Sequence, residues 1–331
     1  MKKRYIFLPL IMVFSLTGCV SRIMSIFNRG GDSSSQQSGN SSSETSSTSS
    51  SSSSDDNSSS NGGSSSSTPS GEYYDGYYST ISKDWTGKTL LDALRTLNLS
   101  KRKSTVGYSN MGTSPSGQFK YTDYDPNYVQ YDSNGQPYGT KISSFYTYTS
   151  ATSWNREHVW PNSHGGGSGG DAGSPYPDAD IHMPRPTISS ENSNRGNSFY
   201  VEGMCHTSNG WDPKTAGYNE NSRGESVRIV FYCMTVNSKL NLIPYNIASA
   251  APSGYKDPIT NISAGSGHSM GNLITLLKWN RDYEVTQREN NRNNGAEYLQ
   301  GNRNAFVDHP EFACKIWGTV NDETKSICGL S

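Results

Sequence analysis

The sequence predicts an α+β domain carried behind an exported, Ser-rich N-terminal tract. Two amphipathic stretches carry the helical part of this reading. Residues 90–97 (LLDALRTL) and 272–279 (NLITLLKW) place leucines at helical spacing. A third stretch, residues 226–235 (SVRIVFYCMT), reads as a buried element. Its Val, Ile, Phe and Tyr favour a strand, and its length also suits a core helix. Thr86 or Thr89 can cap the first helix. In residues 304–317, Pro310 stands near a helix start, where proline is tolerated. Long Gly-, Asn- and Tyr-rich connections join these elements. There is no internal repeat and no G-x-G-x-x-G or Walker pattern.

The chain has 331 residues, of which 31% are hydrophobic and 17% charged, with a net charge of −1. No apolar run beyond the first twenty residues approaches the ~20 needed to cross a bilayer, which excludes a multi-span membrane protein. The near-zero charge excludes a wholly basic nucleic-acid coat protein, though a local site can still bind a polyanion.

The hydrophobic deficit is concentrated near the N-terminus. Met1 to Arg4 is a positive segment and residues 5–16 are apolar, the pattern of a secretory signal. It ends in Leu16-Thr17-Gly18-Cys19, which resembles the bacterial lipobox, whose Cys becomes the lipidated first residue of the mature protein. Residues 32–71 are almost entirely Ser with Asn, Gly and Thr. Such a segment buries too little apolar surface to offset chain entropy and is expected to be a flexible tether. The expected organisation is a signal at 1–18, a lipidated Cys19 with its tether at 19–72, and a nearly neutral folded domain at 73–331. The protein is then held through its lipid on the outer face of the membrane. Four further cysteines in an exported chain suggest two disulfides among three connectivities. The favoured pairing is Cys314 with Cys328 and Cys205 with Cys233. No C-x-x-C pair suggests a thiolate metal site.

The most informative stretch for chemistry is Trp154 to Gly165, which contains Arg156, Glu157, His158 and His164. Neighbouring residues on a strand face opposite ways, so Glu157 and His158 act together only if the chain bends near Pro161. A second cluster holds Asp180, His182, Arg185, Glu191, Asn192, Arg195 and Asn197. Together the two clusters supply imidazole, carboxylate, amide oxygens and guanidinium groups. A neutral histidine takes a proton from water near pH 7. Glu and Asn oxygens suit Mg²⁺, and an arginine fork suits phosphate oxygens. This set fits phosphodiester hydrolysis. His182, His206 and His309 read as packing or loop residues, and His164 as an outer neighbour of the site.

These residues resemble the bacterial endonuclease I family of the ββα-metal (His-Me finger) superfamily. Arg156 to Gly165 matches its R-E-H-V-W-P-x-S-H-G signature. Asp180, His182, Arg185, Pro186, Asn192, Arg195, Gly196 and Asn197 match its second signature. Residues 122–127 (TDYDPN) and 300–310 (QGNRNAFVDHP) resemble two flanking ones. Met183, Pro184, Ser190 and Glu191 depart from the family pattern. The resemblance implies a ββα-metal motif in which His158 is the general base and Glu157 and Asn192 are the metal ligands. Arg185 and Arg195 are the candidates for holding phosphate. The implied ion is Mg²⁺, with Mn²⁺ or Ca²⁺ as alternatives. The implied activity is non-specific cleavage of DNA, and of RNA as a further substrate, to 5′-phosphate ends by a monomer. The competing expectation is a non-catalytic surface lipoprotein that binds polyanions on a degenerate form of the same fold. The 21 tyrosines could stack bases, although most are expected to serve packing.

Overall fold

The computed structural model describes residues 71–167, 177–206, 209–243, 254–261 and 268–331. The expected signal, Cys19 and nearly all of the expected tether lie outside the described residues. The helices are α1 (Gly87–Lys101), α2 (Tyr108–Met111), α3 (Phe119–Thr122), α4 (Ser189–Arg195), α5 (Ser222–Val236), α6 (Leu273–Asp282), α7 (Gln287–Gln300), α8 (Ala305–Asp308), α9 (Phe312–Trp317) and α10 (Asp322–Ile327). The strands are β1 (Val129–Tyr131), β2 (Pro137–Gly139), β3 (Ile142–Ser143), β4 (Ser150–Ala151), β5 (Asn155–His158), β6 (Pro184–Thr187), β7 (Phe199–Tyr200), β8 (Gly210–Trp211), β9 (Asn241–Ile243) and β10 (Ser269–Gly271). The protein is α+β: its strands form separate two-stranded ladders among longer helices. β1–β2, β3–β4 and β5–β6 are antiparallel, and β7–β8 and β9–β10 are parallel.

The stretch whose composition favoured a strand is the helix α5, and every one of its residues is buried. The reason is its surroundings. α1, α6 and α8 pack against it, so no face is left for water and it is a core helix in spite of its polar first half. Leu90, Leu91, Leu94 and Leu97 of α1 turn inward, and the Trp317 ring stacks on Phe231 of α5 at 4.8 Å. The charged residues of α5 are all paired. Arg228 binds Glu289 at 2.5 and 2.7 Å, and Arg223 binds Asp212. Breaking such a buried pair strands a charge, so these contacts select one register for the helix.

α6 starts where expected, with the Asn272 side chain accepting from the Thr275 N–H. Thr286 and Glu289 form a reciprocal capping box at the start of α7. Thr86 occupies the N-cap of α1 without a side-chain cap bond. The stretch around Pro310 is divided between α8 and α9, with the proline just ahead of α9.

Cys314 and Cys328 form a disulfide across α9 and α10. The expected Cys205–Cys233 bridge does not form. Cys233 is a free thiol in the middle of α5, where burial pushes its ionisation well up and surrounding apolar side chains keep other thiols away. Cys205 is disulfide-bonded, but not to Cys233, and its backbone forms an isolated β-bridge with Trp211. Among the described residues no helix is long and apolar enough to cross a membrane.

Candidate active site

The site is built on β5, β6 and α4. β5 pairs with β6 in the register Asn155 with Thr187, Arg156 with Pro186, Glu157 with Arg185 and His158 with Pro184. Burial alternates along β5: Glu157 is buried, and Arg156 and His158 lie half-buried on the other face. α4 starts one residue after β6, and one turn of chain clasps all three elements. In that turn Phe145 N–H donates to the Pro186 carbonyl at 3.0 Å. Ser144 and Thr147 hydroxyls donate to the Glu191 carboxylate at 2.8 and 2.6 Å. The Tyr146 hydroxyl donates to Glu157 Oε1 at 2.9 Å. Glu191, a departure from the family pattern, is therefore the post on which the turn is fixed.

Arg195 ends α4 and ties the site together. Its guanidinium donates to the carbonyls of His158 and Val159 at 2.9 and 3.0 Å and lies 3.2 Å from Glu157 Oε1. Gly196 follows at φ +58°, a turn that suits glycine. Beyond His158, the chain bends as its proline and glycines suggest. Trp160 is buried and its indole N–H donates to the His164 carbonyl at 2.6 Å. A Cβ on Gly166 would lie 1.8 Å from the Trp160 carbonyl oxygen, so only glycine closes this turn. The His164 ring meets the Asn197 carbonyl at 2.9 Å, linking the turn to the end of α4.

Burial sets the electrostatics. It pushes the Glu157 carboxyl up to about 7, with nearby Glu191 adding to the rise and Arg195 and Tyr146 opposing it. His158 is pushed below the usual imidazole value by burial, helped by Arg195 and Arg156 and opposed by Asp178. His158 also has a hydrogen bond to the Arg156 backbone. The Tyr108 ring lies 5.0 Å from His158 and 3.8 Å from the Arg156 guanidinium, so it walls the exposed face of the strand.

Asn192 lies one helical turn before Arg195, on the face of α4 that meets β5. Its half-buried side chain makes no hydrogen bond among the described residues, and neither does Glu157 Oε2. Asn194 is already used, accepting from the Trp211 indole at 2.9 Å. Glu157 and Asn192 thus offer two hard oxygen donors, a set that fits Mg²⁺ completed by water and substrate. Among the described residues no three or more His, Cys, Asp or Glu converge to hold a metal by themselves.

Neither arginine sits as a phosphate clamp should. Arg185 is 1% exposed, and its guanidinium binds Asp123 at 2.7 Å and Glu225 at 2.8 Å. Arg195 is equally buried and is occupied by Glu157 and backbone carbonyls. Both brace the site from within. The guanidinium on the accessible face is Arg156, which shares His158's side of β5. Sequence reasoning passed over Arg156 for this role, although its period-two spacing from His158 could have marked it; Tyr146 and Glu191 gave no such signal. His182 is a packing residue: it is buried on the Tyr232 ring at 4.4 Å and meets the Asn302 carbonyl at 3.1 Å.

The fold is α+β, and the candidate site sets an inward carboxylate and an outward histidine on one strand with a half-buried amide on the next helix. The chain belongs to the endonuclease I family, whose sequence model matches residues 86–311. It is 36% identical over 176 residues to an extracellular ribonuclease of Bacillus amyloliquefaciens, covering 50% of this chain and 54% of that protein. It is 35% identical over 177 residues to an extracellular ribonuclease of Bacillus subtilis strain 168, with the same coverage. The chain thus spans about half the length of the curated relatives it matches.

Proposed function

We propose that the chain is an exported, metal-dependent endonuclease that hydrolyses nucleic-acid phosphodiesters to 5′-phosphate ends. The observation that carries this reading is the Glu157–His158 pair of β5, tied to α4 by Arg195, in a chain of the endonuclease I family. The names of the two relatives favour RNA among its substrates, and the family itself favours breadth over one sugar type.

Glu157 and Asn192 would hold a divalent ion, Mg²⁺ first, with Mn²⁺ or Ca²⁺ as alternatives. When bound, the ion supplies positive charge against the charge that develops on the phosphate and leaving oxygen. The rest is the work of this chain. Burial keeps His158 neutral near pH 7. The Arg156 backbone orients the imidazole, and a ring nitrogen accepts the proton of the attacking water. Arg156 meets a phosphate oxygen on the same face. Arg195 opposes the burial that raises the Glu157 carboxyl and fixes the backbone on which His158 is carried.

The test is digestion of plasmid DNA and single-stranded RNA by the full-length chain with Mg²⁺, Mn²⁺, Ca²⁺ or EDTA. Hydrolysis that EDTA abolishes and metal restores is expected. Binding without hydrolysis under every metal would leave a polyanion-binding lipoprotein in its place. We further propose that Cys19 is the lipid anchor. Cys19→Ser is expected to move the protein from the membrane to the soluble fraction with its specific activity retained, because an acyl chain contributes about 0.8 kcal/mol per buried CH₂. Continued membrane association would remove Cys19 as the anchor.

A further inference from the structure

The β1–β2 hairpin and the outer face of α7 form an aromatic surface that the hydrolytic chemistry does not use. Tyr131 is 70% exposed, Tyr298 42% and Tyr128 40%. Tyr128 and Tyr131 make no ring-to-ring contact among the described residues. Two lysines accompany them. Lys141 Nζ lies 3.8 Å over the Tyr128 ring, and Lys120 lies 5.0 and 5.2 Å over Tyr121 and Tyr138.

The surface is held in shape. The Asp132 carboxylate accepts from the N–H groups of Asn134 and Gln136 at 2.9 and 3.0 Å, which closes the hairpin turn. The same carboxylate accepts from the Tyr298 hydroxyl at 2.9 Å, which pins the turn to α7. The Tyr121 and Tyr298 rings meet at 5.4 Å. On α7, Gln287, Asn291 and Tyr298 are spaced by four and seven residues and share one face. That face leads from the tyrosines to a cavity of about 310 Å³ lined by Tyr124, Asn127, Arg288 and Asn291.

The composition selects the partner. Exposed tyrosines occur at protein interfaces too, but lysines are depleted there, and here the exposed rings come with Lys120 and Lys141. Flat π-faces next to cations suit a ligand with flat bases and a negative backbone. We propose that this surface binds a single-stranded stretch of nucleic acid, with bases on Tyr128 and Tyr131 and phosphates toward Lys120 and Lys141. The proposal rests on the nuclease reading for its class of ligand. It adds a second contact region, on β1, β2 and α7 rather than on β5, that favours unpaired substrate.

The test is binding of fluorescein-labelled 12-nucleotide oligothymidylate and oligouridylate to the full-length chain in EDTA, where no hydrolysis occurs. Tyr128→Ala with Tyr131→Ala is expected to raise Kd roughly ten-fold or more, at the scale of about 1–3 kcal/mol per stacked base. Tyr128→Phe with Tyr131→Phe should restore it, because stacking needs the ring alone. Lys141→Gln should lower the slope of log Kd against log salt by about 0.7. An abasic strand of equal length should bind wild type and the alanine variant alike. Unchanged oligonucleotide affinity in a folded alanine variant overturns the proposal, as does an equal loss for the abasic strand. Hydrolysis by the wild-type chain with Mg²⁺ is measured in parallel. Hydrolysis with unchanged variant binding defeats the surface alone; ring-dependent binding without hydrolysis defeats the nuclease reading alone.

Discussion

At the scale of single residues, the proposed reaction gives His158 and the Glu157–Asn192 oxygen pair separable tasks. His158 is half-buried and its side chain makes no ion pair among the described residues, so its loss leaves the buried network of Glu157, Tyr146 and Arg195 in place. His158→Ala is expected to lower kcat by about 10²–10⁴, the usual share of a general base, with the melting temperature close to wild type. Near-wild-type turnover at saturating metal would exclude His158 as the base. Glu157→Gln and Asn192→Ala should behave differently, raising the Mg²⁺ concentration needed for half-maximal rate. Titrations that superimpose on wild type would remove both from the metal site. Asn194 gives an internal control: its amide oxygen is taken by Trp211, so Asn194→Ala should leave the metal titration where it is.

At the scale of elements, the C-terminal helices are stapled to each other. The Cys314–Cys328 disulfide spans a sequence separation of 14 and joins α9 to α10. Asn321 and Thr324 cap α10 reciprocally, and α10 packs on α6. Closing a loop of this length stabilises a fold by about 3 kcal/mol in the chain-entropy account. Cys314→Ala with Cys328→Ala is therefore expected to lose about that much in urea unfolding. Cys233 should play no part in this. Thiol titration of the unfolded, unreduced chain should fall by one equivalent on Cys233→Ala, and no change would place Cys233 in a bridge.

At the scale of the whole molecule, the buried charges set an acid limit to stability. Burial alone would raise Glu225, but Arg288 and Arg185 outweigh it and hold the carboxyl at about 2. Its contribution is present above the ordinary value of 4.5 and is lost as pH falls from there toward 2. His182 works in a higher window. Burial pushes its imidazole down from 6.5 to about 4, so it stays neutral while the unfolded chain takes up a proton. His182 should then make stability fall as pH drops from 6.5 to 4, with His158 and His164 adding to the same slope through their own lowered values and Glu157, raised to about 7, opposing it. Urea midpoints measured from pH 8 to 3 should decline in these two windows. His182→Gln should flatten the upper one and Glu225→Gln the lower, and parallel curves for wild type and both variants would contradict the assignment.

Local chemistry was legible without coordinates. Spacing marked α1 and α6 because apolar periodicity is a property of a few consecutive residues, and the turn after His158 was legible from Pro161 and its glycines. The matched motifs singled out Glu157, His158 and Asn192 as candidates because a reactive group must be a particular residue type at a particular spacing. Three matters were decided only by the tertiary structure. Residues 226–235 became a helix because neighbours enclose them on every side, which composition does not report. Arg185 and Arg195 became internal braces because Asp123, Glu225 and Glu157 reach them from elsewhere in the chain, and an arginine's sequence context does not say which carboxylate will find it. Cys233 stayed free because it folded into the core of α5. Pairing of cysteines, like pairing of charges, depends on distances between segments, and those exist only once the chain has closed on itself.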